Sequence, residues 1–238
     1  MLEKFERFLY YNFLIRSNQL IFMRFDPNEA QLDHYLKFAS TPVADYLRAL
    51  ERETWLKIPA AHMLTGFAQG RLLSLISILL RPNRILEIGT FTGYGALCLA
   101  EGLSPEGKLI TLESSSENAW LARKYFEISP FSHQIELKMG VALASLTDLK
   151  ETWDLIYIDA DKINNRRYFD TCWPHVRHGG IVLIDNVLAN GNVFKTTEDQ
   201  KPYERAVSEL NAFLPGLKDA RVLMLPIRDG LTLIQKIT

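Results

Sequence analysis

From residue 84 onward, short runs of β-forming residues alternate with stretches in which apolar residues recur three or four positions apart. The runs follow one another at intervals of roughly 20 to 30 residues, which is typical of a parallel sheet built from βαβ units. The pattern therefore predicts a doubly wound α/β sheet. The predicted strands cover residues 84–88, 108–112, 134–138, 154–158 and 181–184, and the predicted helices cover residues 93–103, 117–128, 142–149 and 164–175.

The C-terminal part of the chain predicts a different addition to this sheet. A helical pattern near residues 198–213 is followed by two strand patterns, at residues 221–225 and 231–236. Only the short turn at residues 226–230 separates these two strands. Because parallel strands need a long crossover, so short a connection predicts an antiparallel hairpin.

Residues 27–82, which precede the sheet, predict helices only. Thr41 and Pro42 have the residue types of an N-cap and a first helical position, and Arg81 followed by Pro82 is typical of a helix stop. We interpret this region as a group of helices that precedes the sheet and does not form a separate domain. With 238 residues in all, the chain is predicted to form a single domain.

Charge and cysteine content narrow the possible partners and the compartment. Lys and Arg total 27 against 28 for Asp and Glu, so a net charge of −1 gives no general attraction for nucleic acid. Cys98 and Cys172 are the only cysteines in the sequence, and both lie in apolar helical patterns. We therefore expect free thiols, a reducing compartment and a cytoplasmic protein without nucleic-acid partners.

The first 25 residues are rich in aromatic side chains, but charged residues interrupt every apolar run. The interruptions exclude a membrane span, and no small-residue cleavage site follows that would indicate a signal peptide. We expect an amphipathic helix that packs on the protein or on a second subunit. A membrane-surface helix is the less favoured alternative, because the charges are of both signs.

A glycine-rich turn follows the first predicted strand. Gly89, Gly93 and Gly95 have the spacing GxxxGxG, which differs from the GxGxxG of dinucleotide-binding folds. Taken alone, the turn fits a cofactor loop and a simple tight turn equally well. Glu113 ends the second strand, where an acidic residue can bind ribose hydroxyls or can merely precede a helix. Together the two features favour an adenosine-containing ligand.

The ends of the fourth and fifth predicted strands carry oxygen donors. Asp159 stands in YIDADK, and Asp185 and Asn186 stand in LIDNV. Adjacent strands lie about 4.8 Å apart, so these side chains could converge on a hard cation. Oxygen ligands favour Mg²⁺, with Mn²⁺ or Ca²⁺ possible, and disfavour zinc. Each carboxylate by itself would more simply be a helix cap or a buried, hydrogen-bonded Asp.

Lys162 follows Asp159 by three residues and could reach the same site. A surface lysine is the simpler interpretation, but beside a cation the amine becomes a usable base. We place Asp161 outside the group of ligands. Residues 102–109, GLSPEGKL, are not a P-loop, because Leu109 replaces the required Ser or Thr and the segment enters a strand.

From about Leu32 to Thr238, the sequence resembles the metal-dependent O-methyltransferases that include the caffeoyl-CoA and catechol O-methyltransferases. Six segments in the same order carry the resemblance. They are MLTGFAQGRLLSLI, RILEIGTFTGYGALCLA, LITLES, DLIYIDADK, GGIVLIDNVL and PIRDGLTLIQK. The resemblance implies a seven-stranded Rossmann-like sheet with an antiparallel last strand and leaves residues 1–25 outside the family pattern.

The resemblance also implies roles for single residues. It makes Asp159, Asp185 and Asn186 metal ligands, and Lys162 the catalytic base beside Asp159. Glu113 becomes the ribose-binding acid. The further positions expected at the S-adenosylmethionine pocket are Thr65, Glu87, Gly89, Phe91, Tyr94, Gly95, Ala142 and Asp159.

Gly95 departs from the family pattern. A serine that is common at this position would bond the methionine carboxylate of the cofactor, and here it is missing. Backbone N–H groups or water would have to replace that contact.

These observations predict an S-adenosylmethionine-dependent, metal-assisted O-methyltransferase for a catechol-like or caffeoyl-type hydroxyl. The resemblance further implies a homodimer. One alternative is an NAD-dependent oxidoreductase, which the missing GxGxxG and the absence of a Tyr-x-x-x-Lys motif disfavour. The other is a non-catalytic adenosine-binding protein, which the intact set of predicted catalytic residues disfavours.

Overall fold

The predicted sheet is present in the computed structural model, which describes residues 29–238. Within these residues, seven strands form one sheet in the order β3-β2-β1-β4-β5-β7-β6. All neighbouring strands pair in parallel except β7, which is antiparallel to both β5 and β6. The predicted fold class is thereby confirmed. The strands are β1 Arg84–Ile88, β2 Lys108–Glu113, β3 Ile135–Met139, β4 Trp153–Ile158, β5 Val176–Asp185, β6 Ala220–Leu225 and β7 Leu231–Lys236.

Helices precede and connect these strands as the apolar periodicity predicts. The α-helices are α1 Glu29–Phe38, α2 Asp45–Lys57, α3 Phe67–Leu80, α4 Tyr94–Ala100, α5 Ser116–Ile128, α6 Ala142–Asp148, α7 Asn165–Cys172 and α8 Pro202–Phe213. The 3-10 turns are Ala61–Met63, Lys162–Asn164, Trp173–His175, Ala189–Phe194, Thr197–Asp199 and Leu214–Gly216.

Several predicted boundaries are wrong, each for a local reason. The helix predicted to begin at Thr41 and Pro42 begins at Asp45 instead, after an extended residue, Ala44. The helix predicted for residues 164–175 gives way to a 3-10 turn that contains Pro174, which has no N–H to donate.

Strand β5 begins well before the predicted residue 181. Gly179 and Gly180 suggest a turn in the sequence, but in the structure they lie within the strand, where Gly179 has a φ of 75°. The pairing of β4 with β5 shifts its register nearby, between Trp153 and Leu155. The irregularity lets the strand continue through the two glycines.

The central strands are buried on both faces, which explains why their sequences are continuous apolar runs. Every residue of β4 is buried, and so are four of the five residues of β1. One large apolar cluster joins the sheet to α7 and α8 through Phe169 and Leu210. The strand ends are therefore held on a rigid, close-packed base.

Among the described residues, one segment, Ala61–Leu80, is long and apolar enough to cross a bilayer by length and composition alone. Within its most apolar stretch, 44% is buried inside the protein. The segment is also not one continuous helix, since non-helical residues separate the turn at Ala61–Met63 from α3.

The chain divides into two compact units, residues 1–42 and residues 43–238. The described part of the first unit is α1, in which Lys37 pairs with Asp33 at 2.9 Å. The amphipathic helix predicted for residues 1–25 lies outside the described residues. A single domain over the whole chain remains a prediction.

Gly102 marks the closest approach between the end of α4 and the helix α3. A Cβ atom at this position would lie 2.1 Å from the carbonyl carbon of Ser77 and 2.3 Å from the nitrogen of Ile78. Both contacts are to backbone, so no side chain can rotate away.

We expect Gly102→Ala to lower the free energy of unfolding by about 3 kcal/mol, the upper part of the range for overpacking. Gly216→Ala is the matched control, because a Cβ there meets no atom within 4 Å. Urea unfolding of both variants measures the effect. Equal unfolding midpoints for the two variants would contradict the predicted close contact.

Candidate active site

Four parallel strands bring their carboxyl ends to one edge of the sheet, the edge at which open α/β sheets bind ligands. Strand β4 lies between β1 and β5, with Ile158 paired to Ile88 on one side and to Ile184 on the other. Residues at the ends of these strands are therefore neighbours in space. They are Gly89, Glu113, Asp159 and Asp185.

A buried tyrosine hydroxyl joins two of these carboxylates. The hydroxyl of Tyr157 lies 2.8 Å from Asp185 Oδ2 and 3.3 Å from Asp159 Oδ2. Asp185 is only 3% exposed, whereas Asp159 is half-buried. The structure thus brings the two predicted metal ligands within reach of a single hydroxyl group.

Lys162 contacts one member of this pair, Asp159, instead of projecting into solvent. Its Nζ donates to Asp159 Oδ1 at 2.8 Å, and about a fifth of each side chain is exposed. Asp161 belongs to a different group, because its carboxylate accepts hydrogen bonds from Tyr168 and Asn164. The predicted base lies beside the predicted ligands, and Asp161 lies outside them.

The environment of Asp185 disfavours its negative charge. The pKa of this carboxyl is raised to about 6, chiefly by burial and also by the nearby charge of Asp159, against the lowering effect of Lys162. Two carboxyl groups therefore share a partly buried space with one lysine. Such an arrangement favours a further positive charge at this edge of the sheet.

Asn186 turns the chain sharply at the end of β5. Its φ of 57° lies in the left-handed region, which Asn tolerates better than most residues, and its backbone N–H donates to Asp185 Oδ1 at 2.7 Å. Among residues 29–238, no group of three or more His, Cys, Asp or Glu side chains forms a metal site. The predicted ligand set contains two carboxylates and the amide of Asn186.

Glu113 is held by backbone N–H groups. Its Oε2 accepts from Phe91 at 2.7 Å, and its Oε1 accepts from Ser114 and Ser115 at 2.9 and 2.8 Å. The carboxylate thus joins the glycine-rich turn after β1 to the entry of α5. One lone pair of Oε2 is not used by these three donors and is available to a ligand.

The position of Gly95 leaves room for a buried acid. A Cβ at Gly95 would lie 2.6 Å from Oε1 of Glu87, so any side chain there would displace the Glu87 carboxyl. Burial raises the pKa of Glu87 well above its ordinary range, and Asp159 and Glu113 add to the effect, while a hydrogen bond from Thr111 opposes it. The surroundings of Glu87 therefore favour the neutral form of this carboxyl.

The remaining predicted cofactor positions fall into two groups. Gly89 has no space for a side chain, since a Cβ would lie 2.1 Å from the carbonyl oxygen of Asp159. Phe91 and Ala142 follow the ends of β1 and β3, and Thr65 lies in the loop before α3. Tyr94 differs, because its ring packs against Gly70, and so its side chain serves the contact between α3 and α4.

Comparison with known proteins identifies the family. A family model described as O-methyltransferase matches residues 38–237, which is most of the chain. The chain belongs to the O-methyltransferase family.

Individual relatives agree with this assignment. The O-methyltransferase is 34% identical over 218 residues to the mouse protein named catechol O-methyltransferase domain-containing protein 1, covering 89% of this chain and 82% of the relative. It is 32% identical over 198 residues to caffeoyl-CoA O-methyltransferase 5 of Nicotiana tabacum, covering 79% and 82%. The crystal structure of the Bacillus cereus O-methyltransferase in complex with SAH has a TM-score of 0.78 and 28% identity, covering 86% and 96%. The predicted enzyme class is confirmed.

Three polar residues of this O-methyltransferase site escaped the sequence analysis. Gln69 and Tyr157 contact Asp185, and Arg228 contacts the loop that carries Thr65. A glutamine in a largely apolar helix was a usable signal for Gln69. For Tyr157, the signal was its position two residues before Asp159, on the same strand face.

Arg228 ties the turn between β6 and β7 to the loop before α3. Its guanidinium donates to the carbonyl oxygens of Leu64 at 2.7 Å, His62 at 3.4 Å and Thr65. Arg228 keeps a φ of 50°, a region that costs energy for a residue with a side chain. These contacts hold the backbone of the loop that carries Thr65, a residue that the family resemblance places at the S-adenosylmethionine pocket.

We expect Arg228→Gly to weaken the binding of SAH about tenfold, because it frees the loop while glycine still tolerates the positive φ. Arg221→Gly is the control, since Arg221 is exposed on β6. Calorimetric titration with SAH measures both variants. Wild-type affinity in Arg228→Gly would show that the loop needs no such support.

In the metal-free protein, the free energy of unfolding should depend on pH through the titration of Asp185. Its folded pKa of about 6 exceeds the ordinary value of 3.8, so between these values the folded protein keeps a proton that the unfolded chain releases. This contribution to stability is therefore complete below about pH 4 and is lost as the pH rises through about 6.

Asp185→Asn removes the titrating group. The difference in unfolding free energy between wild type and variant should therefore change by roughly 2–3 kcal/mol between about pH 4 and about pH 7. Urea unfolding in EDTA at several pH values measures it. A difference that stays constant with pH would contradict the raised pKa.

Proposed function

We propose that this protein transfers the methyl group of S-adenosylmethionine to a hydroxyl of a catechol-like or caffeoyl-type small molecule, with the help of a divalent cation. The paired carboxylates Asp159 and Asp185, with Lys162 beside them, carry the proposal. The names of the relatives from mouse and Nicotiana tabacum support the class of acceptor. Family membership favours methyl transfer over the hydride transfer of the oxidoreductase alternative.

The chemistry of the donor set fits a hard cation. Asp159 and Asp185 offer carboxylate oxygens, Asn186 offers an amide oxygen, and waters would complete the shell, as Mg²⁺ prefers. Burial of Asp185 beside a second carboxyl group supports the presence of a counter-charge. Mg²⁺ is the first candidate, with Mn²⁺ or Ca²⁺ as alternatives. When bound, such a cation stabilises the ionised form of a coordinated hydroxyl.

Lys162 is the proposed base. Its Nζ lies 2.8 Å from Asp159 Oδ1, at the edge where the acceptor hydroxyl would lie. If Lys162 gives up its ion pair with Asp159 beside a bound cation and releases one proton to solvent, the neutral amine can accept the proton of the acceptor hydroxyl. The enzyme's other contribution is to align the acceptor oxygen with the methyl group.

The methyl donor would lie across the ends of β1 and β2. The free lone pair of Glu113 could accept from a ribose hydroxyl, and the positive φ of Gly89 lets the chain turn at the end of β1. Burial raises the pKa of Glu87, which favours its protonated form. In that form Glu87 could donate to a carboxylate of the donor and so replace the serine missing at Gly95. Thr65 and Ala142 would line the rest of the pocket.

A homodimer in the cytoplasm completes the proposal. Both cysteines are free and buried, in keeping with a reducing compartment. The net charge of −1 gives no support for a nucleic-acid partner.

Methyl transfer from labelled S-adenosylmethionine to caffeate and to caffeoyl-CoA tests the proposal. We expect transfer with Mg²⁺, none with EDTA, and a loss of at least about 100-fold in Asp159→Ala and Asp185→Ala, since each removes a cation ligand. Asp170→Ala is the control, because Asp170 forms an exposed ion pair with Arg166.

The binding of SAH, measured separately, should survive in Asp185→Ala, because Asp185 is assigned to the cation and not to the methyl donor. Transfer that is insensitive to EDTA and persists in Asp185→Ala would contradict the role of the cation. Absence of transfer to either acceptor, with normal binding of SAH, would exclude the proposed acceptor class.

A further inference from the structure

Two buried polar side chains lie behind the paired carboxylates. Gln69 projects from α3 and Tyr157 from β4, and each is only 1% exposed. Neither is a predicted ligand of the cation or of the methyl donor. Both contact Asp185, which the proposed function assigns to the cation.

The two side chains form a closed set of hydrogen bonds with Asp185. Gln69 Nε2 lies 2.9 Å from the hydroxyl of Tyr157 and 2.6 Å from Asp185 Oδ2, and the Tyr157 hydroxyl lies 2.8 Å from the same Oδ2. The amide has two protons and the hydroxyl has one. Gln69 therefore donates to both partners, and Tyr157 donates its proton to Asp185.

This arrangement determines which way round the Gln69 amide lies. The reversed amide would place Oε1 against a carboxylate oxygen, where two acceptors repel. In the observed orientation, Oε1 is buried and has no hydrogen-bond partner among the described residues. An unpartnered buried acceptor is unfavourable. The two hydrogen bonds that Nε2 donates to Tyr157 and Asp185 therefore determine the orientation of the amide.

The hydrogen bonds also distinguish the two oxygens of Asp185. Oδ2 accepts from both Gln69 and Tyr157, which uses its two lone pairs. Oδ1 accepts from the backbone N–H of Asn186 at 2.7 Å, which leaves one lone pair unused by these donors. Only Oδ1 therefore has a lone pair to offer to a further partner.

We propose that Gln69 and Tyr157 are positioning residues for the cation site, which fix the Asp185 carboxylate so that Oδ1 is the oxygen available to the cation. The inference rests on the proposed function, because it needs a cation at Asp159, Asp185 and Asn186. Groups that orient metal-binding carboxylates in this way commonly affect metal affinity as much as a weak ligand does.

The test measures the affinity of the full-length protein for Mn²⁺ by calorimetry or electron paramagnetic resonance. Tyr157→Phe keeps the buried ring and removes only the hydroxyl, and Gln69→Leu keeps a similar volume without donors. We expect each variant to bind Mn²⁺ roughly 10-fold to 100-fold more weakly than wild type, and to bind SAH within about twofold of wild type.

Matched controls are available far from the site. Tyr125 is buried and donates its hydroxyl to Glu53 at 2.7 Å, so Tyr125→Phe also removes one hydroxyl–carboxylate bond. Gln134 is buried and donates to backbone carbonyl oxygens such as that of Ser104 at 2.9 Å, so Gln134→Leu also removes a buried amide. Both controls should bind Mn²⁺ as wild type does.

The double variant Gln69→Leu/Tyr157→Phe separates positioning from general loss of structure. Because both residues act on Oδ2 of Asp185, the double variant should lose less Mn²⁺ affinity than the two single losses multiplied together.

Unchanged Mn²⁺ affinity in both single variants would overturn the inference while leaving the proposed function intact. Equal losses of Mn²⁺ and SAH affinity would overturn it as well, because they indicate a structural role. A wild-type protein that binds no Mn²⁺ would overturn both the cation assignment and this inference.

Discussion

The parallel pairing of β4 with β1 and β5 is the constraint on which the site depends. Because β4 is hydrogen-bonded on both sides and covered on both faces, its end has little freedom of position. Asp159 follows β4 and Asp185 ends β5, so the pairing brings two acidic groups together. The surrounding fold must then accommodate like charges. Hydrogen bonds do so: Lys162 donates to Asp159, and both Tyr157 and Gln69 donate to Asp185.

The sequence predicts the sheet well because the sheet is encoded locally. Apolar runs of strand length and short connections are visible without any knowledge of contacts, and β1 and β7 begin and end where the pattern predicts. The errors occur where two local signals compete. Gly179 and Gly180 suggest a turn, but the pairing of β5 with its neighbours extends the strand through them.

The candidate site was only partly predictable for the opposite reason. Residues at strand ends could be found, because topology alone brings the ends of parallel strands together. The supporting residues could not, since the link between Gln69 and Asp185 spans 116 positions and depends on how α3 packs against the sheet. Tyr94 shows the same limit, because its place in a cofactor motif does not reveal that its ring packs against Gly70.

The position of β7 also affects the order in which the protein can be completed during synthesis. This strand inserts between β5 and β6, and the turn before it carries Arg228 back to Leu64, 164 positions earlier in the chain. A nascent chain that ends before this turn therefore has all four parallel strand ends of the site but no guanidinium to hold the early loop. Within residues 43–238, the loop that precedes α3 is among the first parts to leave the ribosome and among the last to acquire its final contacts.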